Sequence, residues 1–200
     1  YKLMIQKQKY ILTDCDGVCL DWEEAFMCWM KEMGHQTVEG YQFMYGVHKR
    51  FGITKELSNK LVAQFNASAA IGFLPPLRDA QYYIKKLAEK HKYKFIAVTS
   101  LSSDKYAQKL RERNLNKLFG SGTFDQVICL ETGADKDEIL KELALKYEGC
   151  YWIEDKITNA ELGSKLGYDS LLLEHGHSMG AEGDFKVVKS WEEIYDVITG

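Results

Sequence analysis

Two hundred residues, 46% of them hydrophobic, suffice for one packed domain or one domain with a modest insert. Twenty-six Lys and Arg against 29 Asp and Glu leave a formal net charge of −3, which argues against a chain whose main task is to coat a polynucleotide. A small anionic ligand stays open, since one local positive pocket is enough for it.

Along the chain, Lys2, Lys7 and Lys9 precede the first apolar run without a signal-like apolar core, so the expectation is a cytoplasmic protein. No apolar run approaches a membrane span, so no membrane contact is expected. Residues 9–13 read as a buried strand ending in "DCDG". From Trp22 the period becomes helical, through Phe26, Trp29, Met30 and Met33, with Gly34 as a stop. Residues 35–52 have no clean period. Thr54 is a candidate cap for a helix carrying Leu57, Leu61 and Phe65 on one face. "GFLPPLRDA" (72–80) holds both prolines and reads as a return linker out of an insert.

Beyond it the pattern is regular. Helices predicted at 79–89, 104–114, 136–147 and 158–166 precede strands at 94–98, 126–130, 150–153 and 170–173. Ser190 with Glu193 forms a capping-box signature for a last helix. Strands alternating with helices imply right-handed crossovers and a parallel sheet covered on both faces. The expected fold is therefore a doubly wound α/β core, residues 1–18 and 78–200, with a helical insert at 19–77. Five cysteines, Cys15, Cys19, Cys28, Cys129 and Cys150, lack any C-x-x-C pair and read as reduced, mostly buried thiols.

In open parallel sheets, ligands bind beyond the carboxyl ends of the strands. Asp14, Asp16 and Gly17 follow the first strand, Thr99 and Ser100 end the second, and Glu154 and Asp155 end the fourth. Lys136 starts the helix leading into that fourth strand. Side chains two apart on a strand share a face, so Asp14 and Asp16 are expected to converge with Asp155. Clustered carboxylates repel and resist desolvation unless a cation joins them. An oxygen-only set without His or Cys favours a hard ion, Mg²⁺. Lys136 and the Thr99 hydroxyl then complete a phosphate clamp.

These motifs resemble the haloacid dehalogenase superfamily of phosphohydrolases. "DCDGV" matches D-x-D-G-V, Thr99 ends an apolar strand, Lys136 precedes a helix, and "WIEDKITNA" matches the acidic fourth motif. The resemblance implies a Rossmann-like core and an aspartyl-phosphate mechanism. Asp14 is then the nucleophile, and Asp16 the acid that protonates the leaving oxygen and later activates water. Asp155, supported by Glu154, binds Mg²⁺ with Asp14 and the backbone carbonyl of Asp16. Members that cleave carbon–halogen bonds lack a second aspartate at the position of Asp16, which favours phosphoryl chemistry.

The insert position implies a small helical, C1-type cap. "DGVCLDWEEAF" is similar to the 5′(3′)-deoxyribonucleotidase branch, in which aromatics near the position of Trp22 enclose the nucleobase. "TSLSSDKYAQKL" is similar too, and by that match the phosphate-binding lysine is Lys105, a rival to Lys136. The implied substrate is a small phosphomonoester, best a nucleoside monophosphate and not a polynucleotide. A sugar phosphate on the same machinery and a phosphate-binding module without turnover are the alternatives.

Blander assignments stand beside these. The Asp14–Asp16 pair can serve as an Asx-turn, and Lys136 as a solvated lysine. Thr99 or Ser100 can cap the next helix. Trp22, Phe26 and Trp29 can be packing alone. Asn159 either contacts the acidic site or starts a helix. Tyr41, Phe43, Tyr45 and Phe51 are candidates to line the insert. "EHGHS" (174–178) reads as a loop near the site, without zinc spacing.

Overall fold

In the computed structural model, residues 6–200 are described; the first five residues of the expected core segment lie outside them. Six strands form one parallel sheet: β1 (Lys9–Thr13), β2 (Tyr93–Ser100), β3 (Phe124–Leu130), β4 (Tyr151–Glu154), β5 (Asp169–Leu173) and β6 (Lys186–Val188). Their spatial order is β3-β2-β1-β4-β5-β6. This is the doubly wound order, and its switch point lies between β1 and β4. The expected α/β class is the one observed. The three-residue β6 was absent from the expectation, because "KVV" at the sheet edge is too short to show a period.

The helices are α1 (Trp22–Glu32), α2 (Val47–Phe51), α3 (Lys55–Asn66), α4 (Ala80–Glu89), α5 (Lys105–Phe119), α6 (Asp137–Tyr147), α7 (Ile157–Lys165) and α8 (Trp191–Thr199). Four of them, α1 to α4, lie between β1 and β2 in the chain. Caps set their starts: Asp21 accepts from the Glu24 N–H, Thr54 from Leu57 and Ser190 from Glu193. The Ser190 box is only half formed, since the Glu193 carboxylate accepts from the Lys189 N–H instead. Within α3, Leu61 and Phe65 are buried while Leu57 is exposed, so the predicted apolar stripe is one turn shorter. Helix α2 occupies part of the stretch that showed no period, and α5 runs a full turn beyond its predicted end.

Alternation along the strands sorts the core into two layers. Ile11, Phe95, Ala97 and Ile153 face α1, α4, α5 and α8. Leu12, Ile96, Val98 and Trp152 face α6 and α7. Each fully buried aliphatic or Phe side chain contributes about 1.5–3 kcal/mol. The layer on the α1 side continues without a break into Phe26, Met30, Phe51, Leu61 and Phe65, so the helical stretch shares the core of the sheet. Cys15 and Cys19 are buried, Cys129 and Cys150 are half-buried, and Cys28 is exposed; all are free. Among the described residues no helix is long and apolar enough to cross a membrane.

Candidate active site

The site begins where β1 stops. The Asp14 N–H donates to Ile153 O at 2.9 Å, extending the β1–β4 ladder by one residue. The chain then turns: the N–H groups of Val18, Cys19 and Leu20 all point at the Cys15 carbonyl, and the Gly17 N–H donates to Leu20 O. Gly17 sits at φ +78°, a region that penalises any side chain. A Cβ there would also lie 2.3 Å from Asp155 Oδ2. The buried Trp191 pins the turn from α8, its Nε1 donating to Val18 O at 2.7 Å.

The turn separates the two aspartates. Asp14 Oδ1 is 2.9 Å from Lys136 Nζ, and Lys136 Nζ donates to Glu154 Oε2 at 3.0 Å. Asp14, Glu154 and Asp155 offer oxygens within 4.8 Å of one another. Asp16 is not in that cluster. Its carboxylate turns to Arg111, whose Nη2 lies 2.9 Å from Oδ1 and 3.0 Å from Oδ2. The expected convergence of Asp14 and Asp16 is thus replaced by two separate ion pairs whose aspartates line one cavity. The physical reason is that the strand ends at Thr13, so the period of two no longer applies.

Glu154 is fully buried and saturated. It accepts from Lys136 Nζ, Asn159 Nδ2 (3.2 Å), the Asp155 N–H (3.0 Å) and the Lys156 N–H (3.2 Å). Burial works to raise its carboxyl, but Lys136 and a hydrogen bond with the Asp155 carboxyl outweigh that and hold it below the usual carboxylate range. Burial alone would lower Lys136; Asp14 and Glu154 reverse this and raise it above its ordinary value. Asp14 is pushed up to about 8, first by burial and then by Glu154, against the pull of Lys136. Burial and the charges of Glu154 and Asp14 push Asp155 well up too. Four carboxylates therefore meet two buried cations, Lys136 and Arg111. Once Asp14 and Asp155 give up their protons, the surplus of two negative charges sits on oxygens alone, which suits one hard divalent ion. Asp14 and Asp155 are the residues with oxygen free for it.

The other predicted residues fall as follows. Lys136 is buried in the site, whereas Lys105 starts α5 exposed and does not line the cavity. Ser100 lines the cavity and donates to Ala134 O at 3.0 Å. Thr99 points to the other layer, its Oγ1 accepting from Arg111 Nη1 at 3.2 Å, and does not line the cavity. Trp22 lines it, stacked on Phe26 at 4.6 Å and donating to Asn66 Oδ1 at 2.8 Å. Tyr45 and Phe51 line it, and Tyr41 and Phe43 do not. Asn159 binds Glu154 and lines the cavity. In "EHGHS", His175 Nε2 lies 2.6 Å from Gly17 O and 3.8 Å from Asp155 Oδ2, and His177 packs edge-on to Tyr45. Burial lowers both histidines below their ordinary value.

Two residues escaped the sequence. Arg111 occupies the α5 face of Ala107 and Leu115, where the helical period calls for an apolar residue; that mismatch was the available signal. Arg50 on α2 is buried at the cavity wall and paired with Glu23 of α1. It sits where no period was visible. The cavity measures about 350 Å³, with carboxylates and Lys136 at its floor and Trp22, Phe26, Tyr45 and Phe51 at its helical wall.

The chain has the haloacid dehalogenase-like fold. A haloacid dehalogenase-like family hydrolase from Streptococcus pneumoniae matches 96% of this chain and 99% of its own, at a TM-score of 0.64 and 16% identity. A D,D-heptose bisphosphate phosphatase from B. bronchiseptica, complexed with magnesium and phosphate, gives 0.56 at 11% identity over 96% and 98%. An L-2-haloacid dehalogenase from Xanthobacter autotrophicus, with chloropropionic acid covalently bound, gives 0.61 at 11% identity over 97% and 99%. In sequence the chain is 33% identical over 162 residues to an uncharacterized 32.4 kDa protein of Enterobacteria phage T4. That match takes 78% of this chain and 57% of the phage protein, so the chain spans little more than half of that relative's length. No protein-family model matches the sequence. The fold alone is common to a phosphatase and a dehalogenase, so the reaction has to be argued from the side chains.

Proposed function

We propose that the chain is a haloacid dehalogenase-superfamily phosphatase, a Mg²⁺-dependent phosphomonoester hydrolase acting on nucleoside monophosphates. The observation that carries this reading is the surplus of two negative charges at the β1–β4 switch point, with Lys136 buried between Asp14 and Glu154. Asp14, Asp155 and the Asp16 carbonyl would hold the ion, with Glu154 anchoring Lys136. When bound, Mg²⁺ screens the repulsion between a carboxylate and a phosphate dianion.

Asp14 then attacks phosphorus. The Asp14 Oδ–P bond forms as the ester P–O bond breaks, and Asp16, which takes up a proton from the phosphate monoanion of the bound substrate, gives it to the departing alkoxide. Lys136 neutralises the oxygens that gain charge, and Ser100 would donate to them once its O–H turns from the Ala134 carbonyl. In the second transfer Asp16, now a carboxylate, takes a proton from water as that water attacks phosphorus, releasing Asp14 and inorganic phosphate. The presence of Asp16 supports phosphoryl over carbon–halogen chemistry.

Residues 19–77 are read as the cap over this site. Its aromatic wall favours a planar leaving group, since base stacking on an aromatic platform is worth about 1–3 kcal/mol. The Arg50–Glu23 pair is neutral overall, which suits an uncharged base better than a second phosphate. The test is hydrolysis of p-nitrophenyl phosphate with and without Mg²⁺, followed by a panel of nucleotides and sugar phosphates. Metal-dependent turnover is expected, highest on nucleoside monophosphates. No turnover on any member would leave a phosphate-binding module, and preference for sugar phosphates would reassign the substrate.

A further inference from the structure

We propose that Arg111 is the positioning residue for Asp16, fixing the carboxylate that the phosphatase reading, on which this inference rests, uses for proton transfer. A guanidinium on the buried face of a helix is expensive to desolvate and needs a compensating reason. Arg111 is completely buried, with Ala107 and Leu115 one turn away on either side. Its charge is answered by one acid, Asp16, with Nη2 within 3.0 Å of both oxygens. Nη1 is tied to Thr99 Oγ1, and Nε has no hydrogen-bond partner among the described residues. An apolar residue of similar volume would fill this place without an orphaned N–H, so the packing alone does not call for arginine.

The geometry shows what the arginine accomplishes. Thr99 is the penultimate residue of β2, so the guanidinium is anchored to the sheet at one nitrogen and grips Asp16 with the other. Asp16 Oδ1 is buried against it, while the side chain keeps 22% exposure toward the cavity, which leaves Oδ2 as the oxygen on the substrate side. Asp16 lies in the turn after β1 and has no other side-chain anchor among the described residues. Without Arg111 its carboxylate is free to rotate away from the leaving oxygen. Arg111 does not line the cavity and makes no hydrogen bond or ion pair to Asp14, Glu154 or Asp155 among the described residues, so it acts through Asp16.

That dependence gives a specific test. Protonating a leaving group matters greatly for an alkoxide and little for a dinitrophenolate, which departs without a proton. Single-turnover release of the leaving group would be followed for a nucleoside monophosphate and for 2,4-dinitrophenyl phosphate. The proteins are wild type, Arg111→Met, Asp16→Asn, the double variant and Asp14→Asn. Arg111→Met is expected to slow the nucleotide on the order of 100-fold and the aryl ester less than about 10-fold, the pattern also expected of Asp16→Asn. Because one residue works through the other, the double variant should fall within about 3-fold of Asp16→Asn alone. Equal slowing of both substrates, or losses that multiply in the double variant, would overturn the inference while leaving the phosphatase reading intact. An inert wild type, or an Asp14→Asn protein as active as wild type, would overturn both. Should Arg111→Met not fold by circular dichroism, Arg111→Lys carries the same comparison, since an ammonium keeps the charge but cannot hold Thr99 and Asp16 together.

Discussion

Asp14 and Asp16 are one residue apart, yet they belong to opposite sides of the sheet. Asp14 meets a lysine at the start of α6, and Asp16 meets an arginine from the middle of α5. The first pair is crowded by Glu154 and Asp155, and its aspartate is pushed up to about 8. The second is a closed pair with one carboxylate and one guanidinium. The difference shows how one turn divides labour. The α6 side gathers more carboxylates than cations, which is what the proposed metal site requires. The α5 side is electrically balanced and is built to hold a group still.

The sharpest way to break this contrast is to remove each aspartate in turn. Asp14→Asn is expected to abolish steady-state phosphate release, by about 10³-fold or more, because the amide cannot act as the nucleophile. Inorganic phosphate binding should survive and is measurable by calorimetry. Retained turnover would move the nucleophile elsewhere. Next in size is Lys136→Met. Removing it strands Asp14 and Glu154 together, and breaking a buried pair typically costs about 3–5 kcal/mol. Urea unfolding without metal should show that loss, and turnover should drop on the order of 100-fold. Lys105→Ala, exposed at the start of α5, should change either quantity little. If Lys105→Ala proves the more damaging, the α6 side is not the phosphate clamp.

The pH dependence of metal binding tests the same side. In the metal-free protein Asp14 is raised from 3.8 to about 8, so its proton contributes stability that is present below about pH 4 and is lost as pH rises toward 8. Mg²⁺ must displace that proton. Its apparent affinity should therefore rise with pH between about 6 and 8, by up to tenfold per unit for one proton released. Titration calorimetry in buffers of different ionisation enthalpy counts the protons. A flat affinity across that window would mean that Asp14 is not where the metal binds.

Much of this was legible in the chain because it depends on local rules. The five predicted strands read as continuous apolar runs, and Asp14, Lys136, Glu154 and Asp155 all sit at or within one residue of an element boundary. Position relative to a strand end is enough to bring such residues together. What escaped depends on direction. Period-two alternation stops at Thr13, so it could not tell that Asp16 would turn to the far layer. The same uncertainty hid which of Thr99 and Ser100 faces the cavity, because either residue can be last on a strand. Arg50 and α2 were hidden because residues 35–52 fold through short helical pieces and left-handed glycines at Gly40, Gly46 and Gly52. Such a segment has no period to detect.

The smallest expected effect is the one that separates the two layers most cleanly. Thr99 and Ser100 are adjacent hydroxyls at the end of β2, but Thr99 Oγ1 accepts from Arg111 and Ser100 lines the cavity beside Lys136. Thr99→Val keeps the shape and removes the acceptor, leaving Nη1 of a fully buried guanidinium without a partner, at about 1–3 kcal/mol. Turnover should fall less than about tenfold, through a looser Asp16, with KM for phosphate esters nearly unchanged. Ser100→Ala deletes a donor on the cavity side, so its effect should instead include a weaker hold on inorganic phosphate. Steady-state kinetics of the two variants on one substrate decide the matter. If Thr99→Val weakens phosphate binding and Ser100→Ala does not, the two layers have been assigned the wrong way round, because only the hydroxyl on the cavity side can reach the anion.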